Sequence, residues 1–326
     1  MAVTNRVRQR NVGTVNVFVA DHRVGDKSMR SRESPSPLDL VKLTPLMQRS
    51  HGAPEVVVAL IDGPVAMGHP DLTRENIREV SGSGSGACTQ AGSAACMHGT
   101  FVAGIFCAKR ESQAPAICPG CTLLVRPVFD ETTAWRGEIP SATPLELAKA
   151  IVECTKAGAR VINLSVALAQ PSMNGQRDLQ QALDYAASSG VIVVAAAGNQ
   201  GTIGSSPITR HPGVIPVVAC DSRGRPMDKS NLANSISRRG LMAPGEQINS
   251  IGAMGEPLAL GGTSAAAPIV TGAIALLWSE FPGVNASEVK FAVTQANMLR
   301  RTTVVPPLLD AWRAYGTMAS LPSAKS

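Results

Sequence analysis

At 326 residues the chain can bury a large core, and 44% hydrophobic against 17% charged residues excludes an intrinsically disordered protein. Aromatics make up only 3%, so the core must be close-packed from small and aliphatic side chains. The net charge is +6, of which +4 lies in residues 1–37 (seven Lys/Arg, three Asp/Glu); the near-neutral remainder argues against a nucleic-acid partner, and no run of roughly 18 apolar residues is present to cross a membrane.

Residues 1–37 join a β-like run at 15–20 to the charged, Ser/Pro-rich 30–37, which reads as a basic arm and linker ahead of one domain over 38–326. Arginines at the start, with no long apolar stretch behind them, do not make a signal peptide, so the expected location is the cytoplasm. Residues 40–48 read as a short helix despite Pro45. The apolar run 55–61 suits a central parallel strand buried on both faces. It ends in Asp62-Gly63-Pro64, a carboxylate on the rim where α/β sheets place ligands, although Asp before Gly also forms ordinary turns. A Ser/Gly loop follows at 81–86. Cys96-Met97-His98-Gly99-Thr100 then opens a buried helix reaching Ala108.

Residues 122–129 read as a strand, 145–157 as a helix that Gly158 ends, and 160–165 as a second buried strand. An amphipathic helix over 177–189 leads to a strand over 191–197, which runs into Gly198-Asn199-Gln200-Gly201. After a short strand at 214–219 the chain reads as loop until Leu260-Gly261-Gly262-Thr263-Ser264-Ala265-Ala266-Ala267-Pro268, where a buried helix begins. The last helix starts near Asn285, with Glu288 completing a capping box. Alternating strands and helices imply an α/β fold, doubly wound around a mostly parallel sheet in three layers.

The small residues concentrate around Ser264. Two glycines before a serine let the backbone turn sharply and leave a hydroxyl exposed at a helix N-terminus, while Thr-Ser is equally a common N-cap. A serine hydroxyl becomes a nucleophile only when a base accepts its proton and a third group orients that base. Asp62, His98 and Ser264 supply those groups in that order. Their local words, Val-Ala-Leu-Ile-Asp62-Gly, His98-Gly-Thr-Phe-Val-Ala-Gly, Ala-Ala-Ala-Gly-Asn199-Gln-Gly and Gly-Thr-Ser264-Ala-Ala-Ala-Pro, resemble the subtilisin-like serine proteases over about residues 38–297.

The resemblance implies that Ser264 attacks the scissile carbonyl, His98 relays the proton and Asp62 orients the imidazole. Asn199 and the Ser264 N–H would stabilise the oxyanion. It also implies a substrate edge at Ser165, Val166 and Ala167, where an extended peptide adds a strand, a pocket near Ala197 and Gly198, and an opposite edge near Trp135. Ala167 stands where the family usually has glycine, and Ala265 where it commonly has methionine. The arm looks short for the usual folding prodomain. Asp62-Gly-Pro-Val and Leu124-Val-Arg-Pro-Val-Phe resemble the intracellular subtilases that mature cyanobactins and related ribosomal peptides, which implies a precursor peptide as substrate. Some of those relatives cyclise peptides and carry a large insertion between Asp and His; only 35 residues lie between Asp62 and His98 here, which favours hydrolysis. A macrocyclase or transpeptidase using the same triad, and a peptide-binding pseudoprotease, are the rival readings.

His22, His51, His69 and His211 lack the Gly-Thr context and read as structural or surface groups. The seven cysteines leave three readings open: free thiols, a Cys88–Cys96 disulfide, or a zinc site built from Cys88, Cys96, Cys118 and Cys121. No organic cofactor is implied. Structural calcium stays open, with no Asp-rich loop to hold it.

Overall fold

The computed structural model describes residues 36–80, 86–132, 141–168, 175–294 and 303–322, together with the backbone of 15–16. In chain order these form β1 (Val15–Asn16), α1 (Pro37–Leu40), α2 (Thr44–Arg49), β2 (Val57–Asp62), β3 (Ile77–Glu79), α3 (Ala94–Cys107) and β4 (Thr122–Pro127). There follow β5 (Ser141–Ala142), α4 (Pro144–Lys156), β6 (Val161–Leu164), β7 (Ala167–Leu168), α5 (Gln176–Ser188), β8 (Ile192–Ala196), α6 (Pro207–Arg210) and β9 (Val214–Cys220). The last part holds α7 (Asn234–Arg239), β10 (Leu241–Pro244), β11 (Ile248–Ile251), β12 (Pro257–Leu260), α8 (Thr263–Glu280), α9 (Ala286–Thr294) and α10 (Ala311–Ala319).

Seven parallel strands in the order β10-β9-β8-β6-β2-β4-β3 make the main sheet. Both faces of its central strands are apolar because both are covered. Side-chain alternation sends Val58 and Leu60 of β2 to the core formed with α3 and α8, and Ala59 and Ile61 to the core formed with α4 and α5. The same parity puts Asp62 on the α3/α8 face. Winding reverses at β2, with β4 and β3 on one side and β6 onward on the other, so the carboxyl ends of β2 and β6 frame the crevice typical of such sheets. No helix among the described residues is long and apolar enough to cross a membrane.

A second, small sheet has the order β5-β1-β7, with β1 antiparallel to both neighbours. Val15 pairs with Ala142 and Leu168, and Asn16 with Ser141 and Ala167.

Several expectations need correction. The helix expected at 40–48 is two short helices, separated where Lys42 takes φ +50°, and Pro45 sits in the first turn of α2, where its missing N–H costs nothing. The 220–263 stretch is not simply loop: it holds α7, β10 and the β11–β12 hairpin, elements too short to show a clear period. The helix after Asn285 has its capping box, Glu288 N to Asn285 Oδ1 at 3.1 Å and Asn285 N to Glu288 Oε2 at 2.9 Å, but α10 follows it.

Candidate active site

Asp62 and His98 meet because two glycines let α3 press against the end of β2. A Cβ on Gly63 would lie 2.0 Å from Ala95 O, and one on Gly99 would lie 2.4 Å from Pro64 O. Ser93 caps α3, its hydroxyl accepting Cys96 N–H at 3.1 Å. His98 then sits in the helix's second turn, 1% exposed, with Nδ1 2.7 Å from Oδ1 of the fully buried Asp62. The same oxygen accepts Gly63 N–H at 2.7 Å. The carboxylate thus selects the tautomer with hydrogen on Nδ1 and leaves the basic lone pair on Nε2. Nε2 and Asp62 Oδ2 are buried without a hydrogen-bond partner among the described residues.

Ser264 is 4% exposed in the first turn of α8. The N-cap is Gly262, so the reading of Thr-Ser as the cap is overturned. First-turn N–H groups have no intrahelical acceptor, which makes the Ser264 N–H available as a donor. Gly262 has φ +96° and ψ −175°, a conformation that other residues avoid, and a Cβ there would be 2.9 Å from Asn199 Nδ2. Asn199 Oδ1 accepts both the N–H (2.9 Å) and the hydroxyl (3.0 Å) of Thr263. Its orientation is therefore fixed, with Nδ2 left as the donor.

A prolyl residue inside α8 ties Ser264 to β6. Pro268 has no N–H to give the carbonyl of Ser264, four residues earlier. That carbonyl instead accepts the Ser165 hydroxyl at 3.0 Å, while Ser165 accepts Asn163 Nδ2 at 2.7 Å and Thr271 Oγ1 lies 3.0 Å from Asn163 Oδ1. Ser165→Ala is expected to destabilise the fold by roughly 1–3 kcal/mol, since it strands a buried carbonyl. Urea melts of the two proteins measure this, and coincident curves would remove Ser165 from the account.

The expected substrate residues divide by environment. Val166 is fully buried against the α4/α5 core, so its side chain is not presented to a ligand. Ala167 lies on β7, whose edge is paired with β1 of the chain itself. Ala197 N–H goes to Val217 O, Gly198 N–H goes to Thr263 Oγ1, and the carbonyls of Ala197 and Gly198 accept from Asn231. Trp135 lies outside the described residues. Sequence reading missed Asn163, Thr263, Thr271 and Asn231, whose roles depend on partners distant in the chain. Beside Asn199 and Gly262 opens a cavity of about 1150 Å³, lined also by Asp221, Arg225, Asp228 and Lys229.

Cys88 and Cys96 form a disulfide, so the four-cysteine zinc arrangement is not made. Cys118 donates to Cys121, which lowers the Cys121 pKa and raises that of Cys118; burial pushes Cys107, Cys154 and Cys220 up to about 12. The disulfide closes the loop that enters α3, and Glu131 braces this loop by accepting from Gln90 N (2.8 Å) and Thr89 N. Partial burial raises the Glu131 carboxyl, but these bonds outweigh it and hold the group below its usual range. The brace is therefore kept above that range and lost as pH falls through the lowered pKa. Denatured protein should titrate five thiols before reduction and seven after. Replacing both cysteines with alanine should cost about 2–3 kcal/mol by loop-closure entropy, read from the denaturation midpoint. His211 bonds Asp184 at 3.0 Å and His69 accepts Asp71 N–H at 3.0 Å, neither of them bonded to Asp62, His98 or Ser264; His51 is exposed, and His22 lies outside the described residues.

The model of the subtilase family matches residues 53–311. Subtilisin DY of Bacillus licheniformis is 31% identical over 78% of this chain and 88% of that protein. Subtilisin E of Bacillus subtilis (strain 168) is 30% identical over 78% of this chain and 64% of that protein. Among solved structures, a serine-to-alanine mutant of the protease domain of PatA superposes with TM-score 0.71 at 31% identity, covering 81% of this chain and 95% of that one. The prenylagaramide maturation protease PagA gives TM-score 0.72 at 28% identity, covering 85% and 98%. The PatG macrocyclase domain, at 22% identity and TM-score 0.71 over 84% and 94%, shares the fold. With the family matched over most of its length, the chain belongs to the subtilases and is a subtilisin-like serine endopeptidase.

Proposed function

We propose that the enzyme hydrolyses an extended precursor peptide, with Ser264 as nucleophile, His98 as general base and then acid, and Asp62 as the group that orients His98. Asn199 Nδ2 and the Ser264 N–H receive the developing oxyanion. The observation that carries this reading is the buried 2.7 Å Asp62–His98 bond, which leaves the basic Nε2 unpartnered on the face shared with α8. Asn199, held through Oδ1, supports it by presenting a preorganised donor. The chemistry draws only on these side chains and water. A precursor peptide is favoured by the likeness to PatA and PagA, the latter a maturation protease. The cytoplasm remains the proposed location.

The arm belongs to the same reading. β1 occupies the middle position between β5 and β7, the place of an added substrate strand, so the arm competes with substrate for that edge. Intact-mass analysis after fluorophosphonate treatment tests the site: one adduct is expected on wild type and none on Ser264→Ala. Absence of any adduct, also from a chain lacking residues 1–37, would indicate a pseudoprotease. Incubation with a linear peptide then separates hydrolysis from cyclisation by product mass.

A further inference from the structure

The loop carrying Asn199 is held from a different part of the chain by one side chain. Asn231 Oδ1 accepts Gln200 N–H (3.0 Å), Thr202 N–H (3.1 Å) and the Thr202 hydroxyl (3.0 Å). Its Nδ2 donates to Ala197 O at 3.2 Å and to Gln200 Oε1, and its own N–H donates to Gly198 O at 2.9 Å. Residues on both sides of Asn199 are thus tied to a single amide. The amide's orientation is set by backbone groups, because reversing it would face Nδ2 with two N–H donors and Oδ1 with a carbonyl.

Asn231 is in turn anchored to the main sheet. Ser230 Oγ accepts Ala219 N–H (3.2 Å) and lies 3.3 Å from Ala219 O, which also accepts Met227 N–H at 2.9 Å. Gly201 N–H to Lys229 O (2.8 Å) and Leu232 N–H to Thr202 O (3.0 Å) flank it. A path of hydrogen bonds and peptide links therefore runs from β9 through Ser230 and its neighbour Asn231 to the 197–202 loop, and from Asn199 to Thr263 beside Ser264. No shared packing with α3 or the Asp62–His98 pair is needed.

We infer that Asn231 is a positioning residue for Asn199, fixing the donor where the oxyanion forms. The inference rests on the assignment of Asn199 as that donor. Displacing a preorganised group by about 1 Å costs up to 10²-fold in rate.

The experiment is a double-mutant cycle on the full chain with a chromogenic peptide anilide, measuring kcat and KM separately. Asn231→Ala is expected to lower kcat by roughly ten- to a hundredfold with KM changed by less than about twofold. In the Asn199→Ala background the same substitution should change kcat by less than about twofold, because the group it positions is gone. Equal losses in both backgrounds, or an undiminished kcat in Asn231→Ala, would overturn the inference. Should Asn199→Ala itself leave kcat unchanged, the oxyanion assignment fails as well, an outcome separate from the first two. Asn231→Asp keeps the acceptor for Gln200 and Thr202, so it covers the case in which alanine does not fold. Its loss should be smaller and should likewise vanish without Asn199; an additive loss overturns the inference.

Discussion

Ser264→Ala is expected to lower kcat by about 10⁶-fold while leaving the melting temperature close to wild type. The rate figure is that known for the corresponding change in subtilisin itself, a relative of this chain. Stability is kept because Ser264 lies in the first turn of a helix that Ala265, Ala266 and Ala267 continue, and alanine is the strongest helix former. His98→Ala should cost a similar factor in kcat but also lower the melting temperature, because Asp62 is fully buried and would lose its imidazole partner. Steady-state hydrolysis and thermal melts on both variants check the pair. Amidase activity surviving in Ser264→Ala would sink the nucleophile assignment, and unchanged activity in His98→Ala would sink the base.

The second large effect is expected from one added methyl group. Gly262→Ala places a Cβ 2.9 Å from Asn199 Nδ2 and 3.0 Å from Oδ1, on a backbone with φ +96° that alanine adopts only with strain. The strain costs on the order of 1–3 kcal/mol. The side chain of Asn199 is the softer of the two parts, so it must move, and it gives up its bonds to Thr263 as it does. Loss of one oxyanion donor in subtilisin costs roughly 10²–10³ in kcat. A fall of that order is expected here, with KM little altered and the fluorophosphonate reaction slowed in proportion. If kcat held while Asn199→Ala lost it, the clash would not be transmitted and the account of Gly262 would be wrong.

The parts of this site legible in the sequence were those carried by local rules. The run ending at Asp62, the glycine beside His98 and the small residues around Ser264 each announce a backbone constraint within a few positions. The alternation in β2 even determines which face Asp62 takes once α3 is known to lie there. What escaped were groups whose partners lie far along the chain. Asn163 is one polar residue in an apolar strand until Thr271 is brought to it, and Pro268 inside a helix looks like a fault until the Ser165 hydroxyl takes over the freed carbonyl. The cysteines were undecidable for another reason. The spacing of Cys88 and Cys96 is loose for a zinc knuckle but leaves free thiols and a disulfide both open, and only the folded loop chooses. Short elements such as β11 and β12 pair with each other over four residues, too few to establish a period.

With substrate added to β7 as proposed, the strand Val15–Asn16 would set a threshold for it. A segment tethered to the domain it pairs with acts as a ligand at an effective concentration on the order of millimolar. Backbone pairing is blind to sequence, so an extended peptide docked at β7 would gain the same bonds that β1 already makes there. A substrate using that edge would have to displace a tethered competitor, and it could do so only through contacts made by its own side chains. Discrimination would then come less from the depth of any one subsite than from the difference between two strands contending for the same edge.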